Sequence, residues 1–284
     1  LGDYSSASIS LSGEYELGRL WLAMYRGSTK EHSDPLMRTY LEDLIYRLSE
    51  TSEVRDRRFE FIILEDKTIN AFAAPGGIIG INLGMFLNTK REGELASVMC
   101  HELAHLSQRH FARSQNRNSP LANALMILGS IAVAAASRNP EAILIAPAAM
   151  QQMSINYTRS NEKEADRIGF NNLVKAGFDP NDMTMMFQRM QDKYQNEDSE
   201  QFSYLMTHPL PSERLTDMRI RADGLKNNSK NLFRDNIDFY LMQKRAQVWA
   251  EKDIKELVKR FKKNLKSQNK NTEVSNRYGL SPVS

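Results

Sequence analysis

The stretch LASVMCHELAHLSQRH, residues 95–110, decides how the rest of the chain is read. It contains His101-Glu102-Leu103-Ala104-His105. On an α-helix, positions i and i+4 lie about 40° apart, so both imidazoles leave one face and can share a metal ion. Glu102 stands beside that metal, where it can take a proton from a water molecule. Val98, Met99, Leu103, Ala104 and Leu106 around it are uncharged, as a buried helix requires. So short a motif also arises by accident on core helices. The test is whether the chain supplies a third protein ligand.

There are five histidines, His32, His101, His105, His110 and His208. On a continuous helix His110 falls about 180° from His101 and points away. Gln108 and Phe111 stand where the long metzincin motif needs Gly and His, which rules that family out. A glutamate from a later helix is the remaining source. NEKEAD at 161–166 offers two, Glu162 and Glu164. On the helical wheel Glu162 shares a small or apolar face with Asp166, Gly169 and Leu173, whereas Glu164 falls with Arg167, Asn171 and Lys175 on a solvated one. Glu162 is therefore the expected ligand. Asp166, one turn later, is placed to accept the free N–H of a ligating histidine. The bland reading is an acidic pair on a helix surface.

A third segment, THPLPSERLTD at 207–217, carries His208 in a loop stiffened by Pro209 and Pro211. His208 is expected either at the metal or hydrogen-bonded to a tetrahedral intermediate, with Arg214 steadying the developing charge. The bland reading here is a surface histidine in a proline turn and an arginine in a salt bridge.

Composition sets the outer bounds. The chain has 284 residues, 41% apolar and 26% charged, with a formal charge of +3. That suits a globular protein of one or two domains and excludes collagen, disorder or a polytopic membrane protein. So small a charge does not suggest a nucleic-acid partner, although residues 251–284 hold nine Lys or Arg against four Asp or Glu. The lone Cys100 excludes an intrachain disulfide. The chain begins at Leu1, so the lack of a leader carries no information on compartment.

Working outward, residues 1–13 read as a flexible lead-in rich in Ser and Gly. Residues 14–230 read as one unit: two helices, the second opened by Asp34-Pro35, then three short strands and a nearly continuous helical run from Glu92. The strands are Phe59–Ile63, Ile69–Ala73 and Ile78–Leu83, with the turn at Pro75–Gly77, and they predict a small antiparallel sheet. Leu121–Met150 is apolar but broken by SRNPE. Each half is too short to span a bilayer, so the segment reads as a buried helical hairpin, with membrane-surface contact as the alternative. Residues 231–267 read as a helical pair and 268–284 as a flexible tail. The fold class expected is α+β, a mainly helical zincin domain with a small sheet and a helical tail.

Four segments then resemble one family in their order: HELAH at 101–105, ExxAD at 162–166, INAFAAPGGIIGINLGMF at 69–86 and HPxxxxR at 208–214. They are similar to the gluzincin metallopeptidases of family forty-eight, which include prenyl-protein and Oma-type membrane proteases. The longer matches look most like its periplasmic branch. The resemblance covers about residues 10–225. It implies one zinc per chain held by His101, His105 and Glu162, with Glu102 as catalytic base and Asp166 in support. It implies an edge strand, here Asn70, Ala71, Phe72, Ala73 and Ala74, that pairs with an extended substrate. It further implies periplasmic residence, unfolded or stalled outer-membrane polypeptides as substrates, and the β-barrel assembly machinery as partner. That branch carries a tetratricopeptide array after the protease domain, of which residues 231–267 would be the first, unpaired repeat. A rival reading is a chaperone or scaffold in which zinc is only structural. An intact Glu102 argues against it.

Overall fold

The computed structural model describes residues 10–115, 157–196, 203–225, 236–266 and 269–281. Helix α1 (Leu11–Ser28) starts three residues earlier than the lead-in predicts, because the Ser10 side chain accepts from Gly13 N at 3.0 Å and caps it. Helix α2 (Pro35–Glu50) begins as expected. Asp34 Oδ1 accepts from the backbone of Leu36 and Met37, and Pro35 takes the first turn.

Strands β1 (Glu60–Leu64), β2 (Ala71–Ala74) and β3 (Ile78–Asn82) form one sheet in the order β1-β3-β2. The β2–β3 pair is the antiparallel hairpin read from Pro75–Gly77, with Gly76 and Gly77 at φ 75° and 77°. β1, however, runs parallel to β3, so the sheet is mixed and not antiparallel throughout. The cause lies in β3, whose five residues are all buried. A strand buried on both faces belongs in the centre of a sheet, and the alternation of β1 sets its faces but not its direction. β2 is thereby left at an edge. Its Phe72 ring lies across Gly80, where a Cβ would stand 2.1 Å from the ring.

Helices α3 (Leu83–Asn88) and α4 (Glu92–Ser107) follow, then α5 (His110–Gln115), α6 (Arg159–Lys175) and α7 (Asn181–Asn196). Every residue of α4 except Leu106 is buried, because α2, β2, α6 and α7 all pack on it. A helix enclosed in this way needs few charges of its own. α8 (Ser203–Thr207) follows, and α9 (Ser212–Leu225) packs on α6 and α7.

The helical pair is α10 (Ile237–Ala250) and α11 (Ile254–Asn264). Phe239, Met242 and Ala246 of α10 join the same core as α2 and α4. The predicted flexible tail is instead largely a helix, α12 (Lys270–Leu280). Its sequence lacks a large apolar stripe. It is held by small buried residues, Ser275, Asn276 and Gly279, the last seated against Phe261, and by Tyr278 Oη, which accepts from Arg245 at 2.7 Å. Leu121–Met150 lies outside the described residues. Among those described, no helix is long and apolar enough to cross a membrane.

Candidate active site

α4 projects His101, Glu102 and His105 toward α6, which answers with Glu162 and Asp166. The two helices approach closely because of Gly169. A Cβ there would stand 3.0 Å from the carbonyl of Cys100 and from the Cα of His101. The loop after α8 brings in His208, and the first turn of α9 brings in Arg214. All seven side chains are buried.

Four of them converge. The Nε2 atoms of His101 and His105 are 2.9 Å apart. Glu162 Oε2 lies 3.4 Å from His101 Nε2, and its Oε1 lies 3.3 Å from His105 Nε2. His208 Nδ1 lies 3.0 Å from Glu162 Oε1 and 3.4 Å from His101 Nε2. One donor atom from each of the four fits within 4.8 Å of the others. Glu162 is thus the glutamate in the cluster, and His208 joins it.

The charge balance fits a cation at this point. His101 Nδ1 lies 3.0 Å from Asp166 Oδ1, which leaves Nε2 facing inward. Two imidazole nitrogens and a carboxylate, all dry and within contact of one another, repel unless a proton or a metal ion lies among them. Burial alone would lower the His101 pKa. Asp166 and Glu162 outweigh it and push the pKa up to about 9. Burial would raise the Glu162 carboxyl, yet the His208 charge and hydrogen bonds from His101, His105 and His208 hold it well below the usual carboxylate range. A nitrogen-and-oxygen donor set of this kind, His–His–Glu, suits zinc.

Glu102 points past the cluster. Its Oε1 accepts from Tyr204 Oη at 3.3 Å and lies 3.6 Å from His208 Nε2. Burial lifts its pKa above the usual value, against the opposing charges of His208 and His101. A carboxylate so raised is a better base near neutral pH. Tyr157 stacks on His105 with centroids 3.7 Å apart, and Tyr204 stacks on His208 at 4.5 Å. Neither tyrosine sits in a motif that singles it out in the sequence.

Two expectations change. Arg214 does not face the reacting space: Nε and Nη2 grip Asp166 at 2.6 and 2.7 Å, and Nη1 donates to Pro209 O at 2.5 Å and lies 2.8 Å from Glu162 Oε2. All three nitrogens are engaged, so Arg214 shapes the carboxylates and is not free to meet an oxyanion. His110, read as pointing away, lies against the site, with its Nδ1 2.8 Å from His105 Nδ1. The continuous helix assumed for it ends at Ser107, and Arg109 takes a left-handed φ of 50° before α5 begins. Burial lowers the His110 pKa to about 4, against Glu164, whose Oε2 is 3.0 Å from His110 Nε2. Glu164 is therefore partly covered, although Asn171 and Lys175 of the same face are exposed.

β2 runs beside the cluster. Ala73 and Ala74 line a shallow cleft together with His105, Arg109 and Tyr157. Asn82 N donates to Asn70 O, and the register pairs Phe72 with Gly80. The antiparallel ladder alternates, so the backbone N–H and C=O of Ala71 and Ala73 face away from β3, at an edge where both residues are buried. Among the described residues no strand pairs there.

A buried His–His–Glu cluster with a carboxylate and an edge strand beside it is an arrangement of the metallopeptidase kind. The chain belongs to Peptidase family M48, whose model it matches over residues 35–222. It is 41% identical over 227 residues to a Vibrio cholerae protein, across 78% of this chain and 46% of that one. It is 36% identical over 255 residues to the beta-barrel assembly-enhancing protease of Escherichia coli O157:H7, across 87% and 50%. To the mitochondrial metalloendopeptidase OMA1 of Schizosaccharomyces pombe it is 28% identical over 197 residues, across 67% and 56%. The chain spans about half the length of the curated relatives it matches.

Proposed function

We propose that this chain is the catalytic part of a periplasmic zinc endopeptidase that cleaves unfolded or stalled outer-membrane polypeptides and supports their assembly. The observation that carries the reading is the buried cluster of His101, His105 and Glu162 with Glu102 beside it. The outer-membrane setting rests on relatives named as beta-barrel assembly-enhancing proteases.

His101, His105 and Glu162 would hold one zinc. When bound, zinc supplies Lewis acidity toward a carbonyl and makes a water molecule more acidic. Glu102 takes the proton from the attacking water and passes it to the leaving amine. Asp166 and Arg214 keep His101 and Glu162 in position. Ala71 and Ala73 present backbone groups that pair an extended substrate alongside β2, so affinity comes mainly from main-chain hydrogen bonds.

His208 adds a regulatory element. It offers a fourth donor atom to the cluster, and as a ligand it would compete with water and substrate for the metal. Latency through His208 accounts for a histidine braced by Pro209 and Pro211. His208→Ala is expected to raise basal proteolysis, and unchanged or lower proteolysis would argue against latency.

Glu102→Gln tests the reading against the scaffold alternative. A protease loses cleavage of an unfolded polypeptide while zinc content stays at the wild-type level. If the variant supports outer-membrane protein assembly as well as wild type does, the scaffold is the better account.

A further inference from the structure

Behind His105, on the side away from the cluster, stand three side chains to which neither the motif nor the proposed mechanism gives a task. His110 Nδ1 lies 2.8 Å from His105 Nδ1. His110 Nε2 lies 3.0 Å from Glu164 Oε2, and the same oxygen accepts from Arg113 Nη1 at 2.9 Å. His110 is fully buried, and Glu164 is partly so.

With His110 neutral, the contacts along this row assign each ring nitrogen one role. A carboxylate paired with an arginine only accepts, so the His110 nitrogen beside it, Nε2, carries the hydrogen. A neutral imidazole has a single N–H, which leaves His110 Nδ1 with a lone pair. The His105 nitrogen facing that lone pair at 2.8 Å must then be the donor. His105 is held as the Nδ1–H tautomer, and its Nε2 lone pair is turned toward His101 and Glu162, where a metal would sit. Were His110 absent, a buried Nδ1–H would lose its acceptor and the ring would lose the contact that selects its tautomer.

We propose that His110, Glu164 and Arg113 form a positioning relay that fixes the tautomer and orientation of His105 for metal binding. The two histidines of α4 are thus supported in parallel from α6. Asp166, backed by Arg214, serves His101 directly. Glu164, backed by Arg113, serves His105 through an interposed imidazole. The left-handed turn at Arg109 makes the second arrangement possible, because it redirects the chain into α5 so that His110 reaches His105 of α4.

The inference rests on zinc binding at the cluster, and its test is built to fail separately. Zinc affinity is measured by competition with a chromophoric chelator, with folding followed by circular dichroism. His110→Phe keeps a ring in the same space but offers no acceptor, and affinity is expected to fall about 10- to 100-fold. In His110→Asn, Oδ1 stands near the place of Nδ1, and affinity is expected to stay within about threefold of wild type. Glu164→Ala is expected to weaken zinc binding in the wild-type background and to have no further effect in His110→Phe, because it acts only through His110. This half-buried position keeps the test available should His110→Phe not fold. Wild-type affinity in His110→Phe, equal losses in the Phe and Asn variants, or the same loss from Glu164→Ala in both backgrounds would overturn the relay. Absence of zinc from folded wild-type protein would instead overturn the reading on which the relay rests.

Discussion

Arg214 grips Asp166 through two parallel hydrogen bonds, Nε to Oδ2 at 2.6 Å and Nη2 to Oδ1 at 2.7 Å, in a place closed to solvent. Its third nitrogen lies 2.8 Å from Glu162 Oε2, so one guanidinium holds both α6 carboxylates of the cluster. Lysine keeps the charge but not the planar fork. We expect Arg214→Lys to lower zinc affinity about 10- to 100-fold. Arg214→Leu leaves two buried carboxylates without their only permanent positive charge among the described residues and should lower stability by about 3–5 kcal/mol in urea unfolding. A loss under about 1 kcal/mol would mean that the carboxylates are held by other groups.

Gly169 sets the distance between α4 and α6. Its missing side chain admits the Cys100 carbonyl and the His101 backbone within 3.0 Å of where a Cβ would stand. Gly169→Ala should force the helices apart, lowering stability by about 1–3 kcal/mol and weakening zinc binding as Glu162 retreats. Gly224 of α9 has open space at the same point. Gly224→Ala should be neutral or stabilising by up to about 1 kcal/mol. Equal effects at the two positions would contradict the close approach as the cause.

The unpaired edge of β2 gives a change that separates substrate binding from the metal. Ala73→Pro removes an N–H that points away from β3 and leaves the β2–β3 ladder intact. Cleavage of an unfolded polypeptide should fall about tenfold or more, roughly the loss of one buried hydrogen bond, with zinc content unchanged. Unchanged cleavage would mean that substrate does not pair along this edge.

Lys244 in α10 gives a pH dependence far from the site. Burial lowers its pKa from 10.5 to about 8, with the Arg260 charge adding to the effect. Between about pH 8 and 10.5 the unfolded chain therefore binds more protons than the folded one, and stability rises with pH across that window. Lys244→Met should remove this rise and stabilise the protein at pH 7 by on the order of 1 kcal/mol. A wild-type unfolding midpoint that falls between pH 8 and 10 in step with the Met variant would contradict the assignment.

What was legible in the sequence follows from which signals are local. Helical spacing puts His101 and His105 on one face, and Glu162, Asp166 and Gly169 on another, and the structure brings those faces together. His208 was legible as a histidine braced by prolines, though not whether it would reach the cluster. The relay behind His105 was not legible. A wheel drawn through residue 110 assumes a continuous helix, whereas Arg109 turns the chain with a left-handed φ that no glycine announces. The partial cover on Glu164 is not legible for a related reason, since its wheel position shows polar neighbours but not that His110 and Arg113 of α5 reach it. The direction of β1 and the helix α12 likewise depend on contacts made elsewhere in the chain. The role of Arg214 is not legible either, because the sequence shows the arginine and the carboxylates of Glu162 and Asp166 but not that they meet.

The central claim is a zinc centre held by His101, His105 and Glu162. The most direct test is zinc content per chain by mass spectrometry, on wild type and on Glu162→Gln purified alongside. We expect about one zinc per chain in the wild type and markedly less in the variant. No zinc in folded wild-type protein, or equal zinc in both, would contradict it.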